Sequence, residues 1–136
     1  MKSKSIWTRD YQSVVDNGRN HSMVIDLPEN KGGANSGPTA LELCVMSFSG
    51  CIGTIFAMVA NKMRLTFQKM EVLVEANKPD SAGTITDVHF ILEIATSEPE
   101  EKVKKCLEHT MHTCPVGLLF QQAGLKITHE IKIKKL

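Results

Sequence analysis

The 136 residues are enough for one domain, and the sequence is read as a single domain spanning 1–136. With 16 Lys+Arg against 15 Asp+Glu, the net charge is +1, which excludes the basic excess of a general nucleic-acid binder. An apolar fraction of 42% excludes a disordered chain, and 5% aromatic residues are too few for a base-stacking platform.

Ser5 to Val15 and Ser22 to Leu27 read as two extended segments. They are joined through Asp16-Asn17-Gly18-Arg19-Asn20, where Asn-Gly signals a hairpin. A polar loop rich in Gly, Pro and Asn runs from Pro28 to Pro38. Thr39-Ala40-Leu41-Glu42 then matches a capping box, with Thr39 at the N-cap and Glu42 at N3 of a helix reaching about Met63. Met70, Val72, Val74 and Ala76 alternate with Glu71, Leu73 and Glu75, the period of a strand with one dry face. A turn over Lys78 to Gly83 leads to its hairpin partner, in which Val88, Phe90, Leu92 and Ile94 are the apolar set. Pro99-Glu100-Glu101 opens a second helix with an apolar stripe of Val103, Cys106, Leu107 and Met111. Pro115 interrupts it, Val116 to Ala123 resume as helix until Gly124, and a last strand carries Ile127, Ile131 and Ile133. The order is β-β-α-β-β-α-β with a largely antiparallel sheet, an α+β fold.

Leu43 to Ala60 is uncharged and just long enough to nominate a membrane span. Ser47, Ser49, Gly50, Gly53 and Thr54 dilute its centre, and amphipathic strands flank it. It reads as a helix buried within the protein or its dimer, not a membrane element. A soluble monomer of this length would expose too much apolar surface with such a helix, so an obligate homodimer is expected.

Met1 to Asp10 has no apolar core of a secretory signal, so a reducing cytoplasm is the expected location. There, four cysteines are more often catalytic, metal-binding or core residues than structural disulfides. No C-x-x-C pair occurs. Cys44 and Cys51 are seven residues apart on one helix, roughly 10 Å, too far for a disulfide. Cys106 and Cys114 are separated by a helical segment in the same way. Cross-element pairs remain, of which Cys51 with Cys114 is attractive. Ser49, Gly50 and Gly53 leave the Cys51 sulfur little neighbouring bulk, and Cys114 before Pro115 suits the N-cap of a helix. Cys44 and Cys106, in apolar stripes, read as inert core residues. The competing reading is that all four are buried apolar residues. Cys106, His109, His112 and Cys114 also fall within nine residues, but closed zinc sites draw ligands from two elements, so no metal is expected and both histidines are placed on the solvent side.

Gly37-Pro38-Thr39-Ala40-Leu41-Glu42-Leu43 running into Ser47-Phe48-Ser49-Gly50-Cys51 resembles the first signature of the OsmC/Ohr family, the osmotically inducible and organic hydroperoxide resistance proteins. Thr113-Cys114-Pro115-Val116 resembles the second, and the element order also matches. The resemblance implies an intertwined homodimer with the two long helices at its centre. It implies a thiol peroxidase that reduces organic hydroperoxides and, less well, hydrogen peroxide, without a cofactor. Cys51 matches the peroxidatic cysteine and Cys114 the resolving one, which an external dithiol then resets. Arg19, after the hairpin turn, matches an arginine of the site, and Glu42 matches a glutamate preceding the first cysteine.

A permanently charged guanidinium near Cys51 would favour its thiolate, since a mid-helix sulfur gains nothing from the helix dipole. The arginines are Arg9, Arg19 and Arg64, and Arg19 is the one on a turn. The hydroperoxide-specific branch carries Pro-Glu ten residues before the cysteine. Here Leu41 holds that position and Glu42 is nine before, as in the OsmC-like branch. Glu42 is therefore read both as a site residue and as a helix cap, and His21 belongs to a segment common in that branch without an assigned role. The alternative function is a non-peroxidase dimer that binds a small apolar or thiol ligand in the same pocket. Neither reading includes nucleic acid or membrane as a partner.

Overall fold

The computed structural model describes residues 1–136, and the chain falls into two compact units, Met1–Cys44 and Val45–Leu136. The first unit is a three-stranded antiparallel sheet in the order β1 (Lys4–Arg9), β2 (Gln12–Asp16) and β3 (Ser22–Ile25). The extended segment expected from Ser5 to Val15 is thus two strands. Asp10 turns the chain with φ 42°, its carbonyl accepting the Trp7 indole N–H at 2.9 Å, and the register shifts between Trp7 and Arg9. Asp tolerates the left-handed region because its short polar side chain bonds locally. The Asn17-Gly18 turn forms as expected: Gly18 lies at φ 72°, Asp16 Oδ1 accepts the Gly18 N–H, and Asn17 Oδ1 accepts the Arg19 N–H, both at 2.9 Å.

The loop after β3 folds around one carboxylate. Asp26, 2% exposed, accepts the Leu27 N–H at 2.8 Å on one oxygen. Its other oxygen accepts the N–H groups of Ala34 and Ser36, both at 3.1 Å, and the Ser36 hydroxyl at 2.7 Å. A single 3-10 turn, Glu29–Lys31, lies inside this loop and buries no residue of its own.

Helix α1 (Ala40–Lys62) begins in the first unit and continues through the second. The capping box is formed: Thr39 Oγ1 accepts the Glu42 N–H at 3.1 Å, and Glu42 Oε2 accepts the Thr39 N–H at 2.7 Å. At the other end Leu65 N–H reaches the Ala60 carbonyl and Arg64 N–H the Asn61 carbonyl, with Arg64 at φ 52°. This is a Schellman cap in which Arg64 takes the left-handed position usually given to glycine. The helix is long and apolar enough to cross a membrane, yet Phe48, Ile52, Phe56 and Ala60 form a buried stripe along it. That i, i+4 spacing presents one face to the core.

The second unit contains β4 (Lys69–Asn77), β5 (Asp87–Ala95), α2 (Glu100–Thr113), α3 (Pro115–Gln122) and β6 (Lys126–Lys134). Its sheet runs β4-β5-β6, with β4 and β5 antiparallel as the hairpin pattern predicts. The β5–β6 pair is parallel, so this sheet is mixed. The intervening α2 and α3 supply the long crossover that parallel neighbours need. Val88, Phe90, Leu92 and Ile94 are all buried and face the core with Val103, Cys106 and Leu107 of α2. Fully burying each of the larger side chains contributes about 1.5–3 kcal/mol relative to exposure. The α+β class stands, with six strands and with the second helical stretch broken in two at Cys114.

Candidate active site

Cys51 sits near the middle of α1, and Cys114 ends α2 and caps α3. The break follows from local chemistry. Pro115 has no N–H to donate, so α2 cannot run through it, but its fixed φ suits the first position of a new helix. Cys114 adopts an extended conformation (φ −67°, ψ 110°), and its sulfur accepts the Gly117 N–H at 3.4 Å, as an N-cap side chain does. Of the four cysteines, the fold brings these two together: Cys114 Sγ donates to Cys51 Sγ at 2.9 Å. Both are free thiols, and the gap exceeds the roughly 2.05 Å of a disulfide bond.

Their environments differ. Cys114 has no exposed surface, whereas Cys51 is half-buried. Burial, and next the hydrogen bond given to Cys51, push the Cys114 thiol up to about 11, against the pull of the Gly117 and Val116 amides. Cys114 therefore holds its proton and directs it at the Cys51 sulfur.

An aromatic cluster holds the elements that carry the pair. The Phe48 ring, one turn before Cys51, lies 4.9 Å from that of Phe120 in α3 and edge-on to that of Phe90 in β5 at 5.9 Å. A Cβ at Gly117 would stand 3.4 Å from Phe48 Cε2 and 3.5 Å from Cys114 Sγ, ordinary contact distances. Phe48 thus packs directly over the first turn of α3. Sequence reasoning missed both Phe48 and Gly117 as supports of the pair. The available signal was a glycine three residues after an N-cap cysteine, where a backbone N–H faces the capping atom.

The remaining cysteines serve elsewhere. Cys106 is fully buried, its sulfur 3.8 Å from the Phe56 carbonyl, and burial pushes its thiol up to about 11. Cys44, read from the sequence as a core residue, is exposed instead, because the dry stripe of α1 runs through Phe48 and Ile52 and Cys44 falls short of its first member. His109 and His112 are exposed while Cys106 points inward, so this cluster does not converge. No group of three or more His, Cys, Asp or Glu side chains is arranged to hold a metal ion.

Arg19 and Glu42 belong to the first unit. Arg19 is exposed on the β2–β3 turn, and Glu42 is exposed in the first turn of α1 with Oε2 engaged in the capping box. Arg9 ends β1, and the Arg64 carbonyl accepts the Lys102 ammonium at 2.8 Å at the far end of α1. His21 Nδ1 lies 3.0 Å from the Asn17 amide nitrogen, so it braces the same turn that carries Arg19.

The whole fold recurs in solved structures. An OsmC-like protein from Mycoplasma pneumoniae superposes with a TM-score of 0.84 at 16% identity, covering 97% of this chain and 95% of that one. An organic hydroperoxide resistance protein OsmC from Legionella pneumophila gives 0.74 at 12% identity, covering 96% and 95%. An organic hydroperoxide resistance protein from Elizabethkingia anophelis gives 0.71 at 15% identity, covering 98% and 94%. No curated protein matches by sequence. The sequence profile described as OsmC-like protein matches residues 33–130, a stretch that runs from the loop before α1 into β6 and contains both paired cysteines. Fold, profile and paired cysteines agree, and the chain belongs to the OsmC-like family.

Proposed function

We propose that the protein is a thiol-dependent peroxidase that reduces organic hydroperoxides and, less well, hydrogen peroxide. The observation that carries this reading is the pair of free thiols 2.9 Å apart, one half-buried and one sealed. That the Legionella and Elizabethkingia proteins of the same fold are named for organic hydroperoxide resistance supports the substrate class.

Cys51 is the peroxidatic residue. Its thiolate attacks the distal oxygen of the hydroperoxide, an S–O bond forms as the O–O bond breaks, and the leaving alkoxide takes a proton to become the alcohol. Cys114 then attacks the Cys51 sulfenic acid. The new S–S bond expels hydroxide, which leaves as water with the Cys114 proton. An external dithiol reduces the disulfide, and a reducing cytoplasm suits two thiols held ready in this way.

Arg19 supplies the cation beside the Cys51 thiolate and binds the peroxide oxygens. The family resemblance assigns Glu42, whose Oε2 is engaged in the helix cap, as the partner that orients this guanidinium. The working unit is a homodimer. One face of α1 is dry, but Met46 remains 47% exposed and Met58 54% exposed, which a second copy would cover.

One equivalent of an alkyl hydroperoxide added to the reduced protein should give an intramolecular Cys51–Cys114 disulfide by peptide mapping. Cys51→Ser should abolish turnover, and Cys114→Ser should accumulate a sulfenic acid at Cys51. Oxidation mapped to Cys44 or Cys106, or turnover that survives Cys51→Ser, would overturn the assignment.

A further inference from the structure

We propose that the thiol which reopens the Cys51–Cys114 disulfide attacks the Cys51 sulfur and expels Cys114, whose departing sulfur is received by the Gly117 amide. The proposal rests on the peroxidase reading only for its place in a cycle, because the same disulfide can be made with a chemical oxidant.

Thiol–disulfide exchange needs an approach along the S–S axis to the sulfur under attack. Cys114 has no exposed surface, whereas Cys51 presents part of its surface. The incoming thiolate forms an S–S bond to Cys51 as the Cys51–Cys114 bond breaks. The electron pair goes to Cys114 Sγ, which regains the proton lost when the incoming thiol ionised. No other oxidant or reductant is needed.

Burial of the reduced Cys114 thiol, which disfavours its thiolate, weakens Cys114 as a leaving group. Two features counter it. The hydrogen bond to Cys51, the second cause of that rise, is a feature of the reduced pair. The Gly117 N–H, 3.4 Å from Cys114 Sγ at the start of α3, is already aimed at the sulfur on which charge develops.

The test uses the full-length wild-type protein oxidised with diamide. The disulfide is opened with cysteamine at rising concentration, quenched in acid and mapped by mass spectrometry. The expected result is cysteamine on Cys51 and a free thiol at Cys114. An adduct on Cys114, an even distribution, or consumption of the disulfide with no Cys51 adduct at saturating cysteamine overturns the proposal. So does a disulfide that cysteamine leaves intact, since an accessible Cys51 sulfur is the premise. Mapping does not depend on reactivity toward peroxide, so failure here is distinguishable from failure of the peroxidase reading. Gly117→Pro removes the amide proton and should slow opening by dithiothreitol about tenfold, while Gly117→Ala, which keeps it, should stay within about twofold of wild type. Equal rates in a folded Gly117→Pro variant remove the amide from the proposal. If that variant does not fold, the wild-type mapping still decides the direction of attack.

Discussion

Phe48→Leu separates the contribution of packing from that of the thiols themselves. Phe48 is fully buried and faces Phe120 at 4.9 Å and Phe90 at 5.9 Å. Leucine keeps most of the apolar burial but loses both ring pairs, each worth about 0.5–1.5 kcal/mol beyond area, so the expected loss is about 1–3 kcal/mol. Phe48→Ala adds a cavity and should cost about 3–5 kcal/mol. Urea unfolding of the reduced protein at fixed concentration reads this as a lower midpoint with unchanged slope. The same substitution loosens the first turn of α3, which Phe48 overlies, so the step from Cys51 sulfenic acid to disulfide should slow about tenfold, because small misplacements of reacting atoms are costly. Quenched mapping of the disulfide follows that step. A destabilised variant whose disulfide forms at the wild-type rate would refute the view that this cluster sets the sulfur geometry, and unchanged stability would refute the packing argument itself.

Arg19→Met should slow peroxide reduction at neutral pH by about tenfold or more, and Arg19→Lys should restore only part of the rate, because an ammonium lacks the planar fork. Steady-state assays with an alkyl hydroperoxide check this, and equal rates would leave Arg19 a turn residue. Glu42→Gln keeps a capping acceptor and should change stability by less than about 0.5 kcal/mol while slowing turnover several-fold, whereas an unchanged rate would make Glu42 a cap alone. In the folded reduced protein Cys114 and Cys106 ionise only near 11. Unfolded thiols ionise near ~8.5, so above that pH the folded chain binds more protons than the unfolded one and stability should fall as pH rises toward 11. Denaturation series over that range, with Cys106→Ala as a comparison, measure the slope. Sedimentation of the wild type should give a dimer, and Met58→Glu should weaken it, whereas a stable wild-type monomer would contradict the assembly.

What could be read from the sequence was local. Thr39 and Glu42 announce a capping box, Pro115 after Cys114 announces a helix restart, and the alternation through Met70–Ala76 and Val88–Ile94 announces a hairpin, because each depends on residues a few positions apart. The Cys51–Cys114 pairing was accessible by eliminating pairs within one helix and by family resemblance, though 63 residues separate the two. The missed features are of a different kind. The turn at Asp10 lacks Gly or Pro and depends on a side chain bonding to the backbone. The parallel placement of β6 beside β5 is set by how two helices cross the sheet, which no strand's own alternation encodes. Cys44 looked like a core residue because it continues the i, i+4 spacing of Phe48 and Ile52, and an apolar helix read without its neighbours does not reveal where along it their cover begins.

The loop organised by Asp26 has the weakness of its design. Between Leu27 and Ser36 backbone bonds such as Asn35 N–H to the Leu27 carbonyl hold the turn, but Ala34 and Ser36 are tied through one anion, and the 3-10 turn buries no side chain, so the segment has little apolar reserve. The Ser36 hydroxyl first, and the backbone N–H groups with it, hold the Asp26 carboxyl below its usual range. The sign follows directly: the stabilisation is present above the unfolded carboxyl's pKa and is lost as pH falls through the folded value. Acid therefore acts on this segment as a latch release, weakening with a single proton all four hydrogen bonds that the charged carboxylate accepts. Hydrogen exchange at mildly acidic and then strongly acidic pH should show the amides of Ala34 and Ser36 losing protection together, as one cooperative opening and not as gradual fraying.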